Sequence, residues 1–359
     1  MNERTLLNFT PMRTWNWLKV NETQLSTPIP PRRAYRHAAV GETSDAIVLP
    51  LMFGNTWAYA TNAPVRIGKE WEHFVEKNAN VLYDVALHGD ETLRFDFAID
   101  DENPFLVDDI TFLVEEGERG TAILHYRGDG WHAGRTRMLV RSGAKAKIVL
   151  IQNLSDAATH TSALSVAVDD DAELDIVCID MGAAEAVVNV NVEMWGANAR
   201  VAMHTLYLGS GDRRMDINYR TALHGRENQV DMLTSGVLMG HCHKVYRGTL
   251  DFISGCAGSK GTEEENTMLL SKDARHLSVP ILLCGEDDVE GAHAASTGKI
   301  DENKLFYLMS RGLTEKEARK LIVEAMFAPV LERIGDEELQ AQLMNDVREK
   351  LDHVESISQ

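Results

Sequence analysis

The middle third of the chain is written in short runs where apolar and polar residues alternate, the period that sends successive side chains to opposite faces of a β-strand. KIVLIQ (147–152), ELDIVCID (173–180), RVAMHTLYL (200–208) and QVDMLTSGVL (229–238) each read as strands. A second strand precedes most of them, as in LSVAVDDD (164–171), VVNVNVEMWGAN (187–198) and INYRTALHGREN (217–228), with Gly, Asp or Asn at the join. A small, a polar and an aliphatic residue open each later strand: Ala146-Lys147-Ile148, Ala172-Glu173-Leu174, Ala199-Arg200-Val201 and Asn228-Gln229-Val230, with Thr121-Ala122-Ile123 as the loosest copy. The steps between copies are 25, 26, 27 and 29 residues. Two strands and two polar corners per repeat suit a β-solenoid, in which each coil stacks its backbone on the next around one core. A sandwich of short strands also fits alternation with frequent turns. The near-constant step favours the solenoid.

The pattern changes at both ends, which predicts three regions: a short mixed N-terminal region (1–95), a mainly β core (96–300) and a C-terminal helical domain (301–359). Near the start, Trp15, Trp17 and Leu18 form an expected anchor, and TPIPPRR (27–33) is a connector that continues neither a helix nor an interior strand. Asp301 can cap a short helix through KLFYLMS that stops at Gly312. Thr314 and Glu317 spell a capping box for a second helix. Its expected apolar face is Ala318, Leu321, Ile322, Ala325 and Met326, limited or kinked by Pro329. A third helix follows Gly335-Asp336 with Leu339, Leu343, Val347 and Leu351 on one stripe. These helices are expected to shield the open end of the solenoid.

Composition narrows the chemistry. A net charge of −19 argues against a nucleic-acid backbone as partner. The start lacks an apolar core of signal-peptide length, no window is long enough to span a membrane, and Cys178, Cys242, Cys256 and Cys284 form no C-x-x-C pair. The expectation is a cytoplasmic protein with free thiols. No Walker A sequence, Rossmann glycine fingerprint or G-x-S-x-G elbow occurs. His241-Cys242-His243 would split across a strand, so it reads as two surface histidines and one core cysteine. His125, His132 and His204 read as isolated structural histidines, and Asp169 to Asp171 as a solvated corner. One segment stands out: His293 sits among Gly291, Ala292, Ala294, Ala295 and Ser296, directly before the first C-terminal helix. A β-helix carbohydrate-active enzyme would need clustered carboxylates or basic residues on an outer strand face, and none is evident.

The run MLLSKDARHLSVPILLCGEDDVEGAHAASTGKI (268–300), with LFYLMSRGLTEKEARKLIVEAMF (305–327) and YRG (246–248), resembles the SufB/SufD proteins of iron–sulfur cluster assembly. That resemblance implies a right-handed parallel β-helix and a scaffold rather than an enzyme. It implies a SufC-type ABC ATPase partner docking on Phe306, Tyr307, Arg311, Gly312 and Leu313, ATP binding by which shifts the scaffold between closed and open states. It also implies dimerisation with a SufB-like paralogue, and a transient iron–sulfur cluster shared with that partner chain. The Asp-Asp-Val before the histidine looks like SufD. At the position where SufB-like sequences carry a sulfur-receiving cysteine stands Ala274, and Ala292 and Ala294 replace their glutamates. Gly291 stands where SufD relatives often have a cysteine. His293 alone carries over as a candidate cluster ligand, with Cys284 as a weaker one whose expected fate is a buried core thiol. Pairing with itself, as the sole scaffold of a minimal system, is the alternative.

Overall fold

The computed structural model describes residues 5–13, 18–37, 48–49, 64–90 and 92–357. Trp15 and Trp17 lie outside the described residues, whereas Leu18 packs against Val20, Val245 and Val279. Strands β1 (Leu6–Leu7) and β2 (Thr23–Gln24) pair antiparallel, and β3 (Val48–Leu49) lies antiparallel on β4 (Val81–Leu87). From β4 the chain winds between two parallel sheets, as the repeat predicts. The strands are β5 (Thr92–Ile99), β6 (Phe105–Val114), β7 (Arg119–Gly128), β8 (Trp131–Val140), β9 (Lys145–Leu154), β10 (Thr159–Val168) and β11 (Glu173–Asp180). They continue as β12 (Glu185–Met194), β13 (Arg200–Gly209), β14 (Arg214–Leu223), β15 (Gln229–Leu238), β16 (His243–Phe252), β17 (Ser259–Leu269), β18 (Arg275–Cys284) and β19 (Val289–Gly298). Even-numbered strands from β4 on make one sheet and odd-numbered strands from β5 on the other, each strand in register with the one two places earlier. This is a parallel β-solenoid. A sandwich is ruled out, since every pairing inside the coils is parallel.

The repeat has a backbone cause. The corner from the even to the odd sheet turns through a left-handed residue at Gly89, Gly117, Gly143, Asp171, Asn198, Glu227 and Gly258. Gly, Asp and Asn enter that conformation most readily, so the join residues fix where each coil bends. Asp170 and Asp171 are such corner residues, accepting hydrogen bonds from the Ala197 amide at 2.7 Å and from Asn198 at 2.6 Å. Between corners, inward side chains of successive coils stack in columns, and one continuous apolar core runs from Val81 to Phe252. Each fully buried Leu, Ile, Val or Phe adds roughly 1.5–3 kcal/mol of burial.

Both outer faces are covered. Helix α1 (Lys69–Asn78) lays Trp71 and Val75 on the outer face of the even sheet, with Leu7, Leu25 and Ile67. On the odd sheet lie α3 (Glu315–Leu331) and α4 (Glu337–Ile357), which follow α2 (Glu302–Ser310). The helices therefore do not shield the open end, as the sequence led us to expect. They fold back along the flank, where Val323, Phe327, Leu339, Leu343 and Val347 meet Val149, Val177, Leu206 and Val237. The odd strands offer an apolar outer stripe that a passing helix can bury, which an end cap would leave wet. The buried face of α3 is also rotated from the expected one. Ala318 is buried as expected, but Val323, Phe327, Val330 and Leu331 join it, while Leu321 is 44% exposed and Ala325 faces solvent. Two stripes one residue apart are both compatible with helical spacing, and the one bearing the large Phe327 ring wins the core.

The helix ends form as their residues dictate. Asp301 accepts from the amides of Asn303 and Lys304, the Thr314–Glu317 capping box is closed on both sides, and Gly312 takes φ 100°. Leu339, Leu343, Val347 and Leu351 are all buried.

Candidate functional site at the open end of the solenoid

Among the described residues, β18 and β19 each pair on one side only, so the last coil presents two free strand edges. Its inward direction follows from the glycines. A Cβ on Gly291 would meet Leu282 at 2.9 Å and Phe252 at 3.0 Å, and one on Gly261 would meet Leu250 and Phe252 at 3.2 Å. Residues 261, 263 and 265 of β17 and 291, 293 and 295 of β19 therefore face the lumen, while Ala292 and Ala294 face outward. A side chain at Gly291 would press on Leu282 and Phe252, which accounts for the glycine there.

His293 thus points into the mouth of the solenoid and is exposed because no coil follows. It heads one inward column, Ile148–Ile176–Met203–Met232–Glu263–His293, in register from coil to coil. The column is apolar for four coils and then turns polar. Its neighbour, Leu150–Cys178–Thr205–Thr234–Glu265–Ala295, makes the same change more gradually. Facing Glu263 and Glu265 from the even sheet are Lys244 and Tyr246, with His276 in register above Lys244.

Lys244 is fully buried, ion-paired with Glu265 and set over the rings of Tyr207 and Tyr246 at 4.2 and 4.7 Å. Burial pushes its ammonium well below the usual lysine range. Glu263 is 2% exposed, and neither carboxylate oxygen has a hydrogen-bond partner. The Tyr246 hydroxyl beside it draws its pKa down without closing a bond of good geometry, and a single phenol can serve only one of two oxygens. Burial dominates and pushes Glu263 up to about 7. Among the described residues both ring nitrogens of His276 and Oε2 of Glu265 also lack hydrogen-bond partners, Nε2 and Oε2 facing each other at 3.8 Å, and burial, with Lys244 nearby, lowers His276 to about 3. Room for the Glu263 carboxyl comes from Gly248, where a Cβ would lie 2.4 Å from Oε1. The YRG triplet is thereby divided: Tyr246 and Gly248 shape the mouth, while Arg247 points outward to Asp216 and to the Val20 carbonyl.

Cys284 is exposed, whereas the other three cysteines are buried. The expected buried thiol is thus corrected: Cys284 stacks in register on inward-facing Phe252, but no further coil covers it. Ala274 is buried in the core beside this coil. His241 is exposed, Cys242 buried and His243 half-buried, the arrangement read from the sequence. Among the described residues no three His, Cys, Asp or Glu side chains converge on one point that could hold a metal ion.

On α2, Phe306 is 74% exposed, and Tyr307 and Arg311 share one face, the guanidinium 5.3 Å from the ring centroid. Met309 and Leu321 are also exposed apolar side chains. Leu313 is half-buried and Gly312 exposed. Among the described residues no helix is long and apolar enough to cross a membrane.

A second polar cluster lies deeper in the lumen and corrects the reading of His132 as isolated. Nε2 of His132 is 2.6 Å from Asp108, its Nδ1 is 2.8 Å from Nδ1 of His160, and Nε2 of His160 is 3.0 Å from Ser162. Tyr126 donates to the other oxygen of Asp108. Burial drives Asp108 far above the usual carboxyl range and both imidazoles below theirs. Each shift favours the neutral form of its group. His125, also read as isolated, bonds Asp96 at 3.1 Å.

A family model described as "SUF system FeS cluster assembly, SufBD core domain" matches residues 97–326, well over half of the chain. An iron–sulfur cluster assembly SufBD family protein of Mycobacterium leprae is 26% identical over 244 residues, covering 66% of this chain and 62% of the relative. The iron–sulfur cluster assembly protein SufD of Bacillus subtilis is 26% identical over 202 residues, 56% of this chain and 46% of that protein. A SufBD family protein of Pyrococcus horikoshii is 31% identical over 205 residues, 56% of this chain and 45% of the relative. The matched stretch spans less than two thirds of each of these relatives.

Proposed function

From the chain's membership of the SufBD family of the SUF iron–sulfur cluster assembly system, we propose that it works as a SufD-like scaffold subunit rather than as an enzyme. The observation that carries this reading is the last coil: two free strand edges, an inward histidine between them, and an aromatic helix immediately after it in the chain. Free edges are templates for another chain. A SufB-like partner docked there would close the mouth and bring the ligands that this chain lacks. His293 then contributes one imidazole to a transient cluster that is cargo for the pair. Neutral imidazole is a competent iron ligand, and a mixed ligand set suits release.

The patch of Phe306, Tyr307 and Arg311 is the docking surface for a SufC-type ATPase, in which the ATP hydrolysis resides. Aromatic and Arg side chains supply most of the energy at such interfaces. The exposed thiol of Cys284 favours a second reading, in which two copies of this chain meet through their mouths and serve as the sole scaffold. Co-expression with a SufC-type ATPase and a SufB-like chain, followed by size-exclusion chromatography with light scattering, tests both. A stable ternary complex supports the first, a dimer of this chain with SufC alone the second, and failure to associate with either sinks the proposal.

A further inference from the structure

We propose that Glu263 is a second protein ligand, beside His293, for the iron received at the mouth of the solenoid. The proposal rests on the reading of His293 as a ligand and extends it by one residue.

Three independent features point to Glu263. The first is its place in the column. Four coils put Ile148, Ile176, Met203 and Met232 at this inward position, and a carboxylate appears only directly beneath His293. In-register strands lie about 4.8 Å apart, so the two side chains leave the sheet as neighbours on the same face. The second is the missing partner. A 98% buried carboxylate with only the Tyr246 hydroxyl beside it, and no hydrogen bond of good geometry among the described residues, is costly, and folded proteins keep such groups when something else binds them. Lys244 does not meet the need, because its ammonium is ion-paired with Glu265. The third is the cradle. Gly248 takes no left-handed conformation, and its missing side chain instead leaves the space that Oε1 occupies. Any larger residue would push the carboxyl out of place.

An oxygen donor beside an imidazole is a hard–intermediate pair suited to ferrous iron before sulfide arrives. Since no third donor converges among the described residues, the remaining positions go to water or to a partner chain. The carboxylate and imidazole lone pairs each replace one water on the ion, and a proton held on the Glu263 carboxyl leaves to solvent.

The test is anaerobic titration of the full-length chain with ferrous iron and with cobalt(II) as a spectroscopic stand-in, alongside thermal unfolding of the metal-free protein. The variants are Glu263→Gln, Glu263→Asp, His293→Ala and the outward-facing control Glu264→Gln. Affinity is expected to fall at least tenfold in Glu263→Gln and His293→Ala, and to hold within twofold in Glu264→Gln. Metal-free Glu263→Gln is expected to melt at or above the wild-type temperature, because an unpartnered carboxylate has been removed. Should Glu263→Gln fail to fold, Glu263→Asp, whose shorter carboxylate keeps the charge but not the reach, is expected to show the affinity loss. Affinity lost in His293→Ala but kept in both Glu263 variants overturns this proposal and leaves the reading of His293 standing. Affinity lost at Glu263 but kept in His293→Ala overturns both, as does wild-type protein that takes up neither metal.

Discussion

Two polar clusters sit inside the same apolar solenoid, and they differ in one respect. Deep in the lumen, Asp108, His132, His160 and Ser162 satisfy one another in an unbroken chain. At the mouth, Glu263, Glu265 and His276 leave five atoms without a hydrogen bond among the described residues. Burial is similar in both, so burial does not distinguish them. Satisfaction does: a closed network rigidifies a core, whereas an open one costs stability until a ligand or partner completes it. The deep cluster thus has the character of a structural element, and the proposed function makes the mouth a binding element.

The sharpest way to break this comparison is to truncate the deep cluster. His132→Ala removes a fully buried ring, strands Asp108 and His160, and opens a cavity, which together should cost about 3–5 kcal/mol. Urea denaturation reads this as a lower midpoint, and a loss under 1 kcal/mol would show that the deep cluster is not structural.

The mouth should respond in the opposite direction. Glu263 rises to about 7 in the folded protein from its ordinary value of 4.5. The folded state therefore binds more protons than the unfolded state between those values, so this residue's contribution to stability is full below pH 4.5 and is lost as pH rises through 7. Glu263→Gln abolishes that loss. The variant is expected to exceed wild type by on the order of 1–3 kcal/mol at pH 8, at about 1.4 kcal/mol per pKa unit, with the difference fading by pH 5. Melting curves across that range check it, and a variant less stable than wild type at pH 8 would place Glu263 among the structural groups.

How much of this was legible in the sequence depends on whether the signal was local. The coils were, because corner residues such as Asp171 and Asn198 recur at nearly fixed steps. The helix caps at Asp301 and Thr314 were, since each cap is complete within four residues. The deep cluster was hidden because His132 and His160 are 28 residues apart, one full coil, and meet only through register. Glu263 was hidden differently. TEEEN reads as a solvated acidic run, yet alternation turns Glu263 and Glu265 inward and leaves Glu264 outside. Extending the repeat from Met232 by one coil would have found it. The flank position of α3 and α4 had no local signal, since an amphipathic helix does not say which apolar surface it covers.

The smallest effect on folding is expected at the helix patch. Phe306→Ala should change stability by less than about 0.5 kcal/mol, because the ring is 74% exposed. It should nevertheless weaken association with a SufC-type ATPase by about 2 kcal/mol, near thirtyfold. Calorimetric titration separates the two, and unchanged affinity would move the docking surface elsewhere.

On the proposed function, the mouth is the place where a cluster is held between chains. Anaerobic reconstitution of the assembled complex, with wild-type and with His293→Ala protein, measures iron and acid-labile sulfide per complex. Cluster content should collapse in the variant while the complex stays intact. Equal iron and sulfide in the two complexes would contradict it.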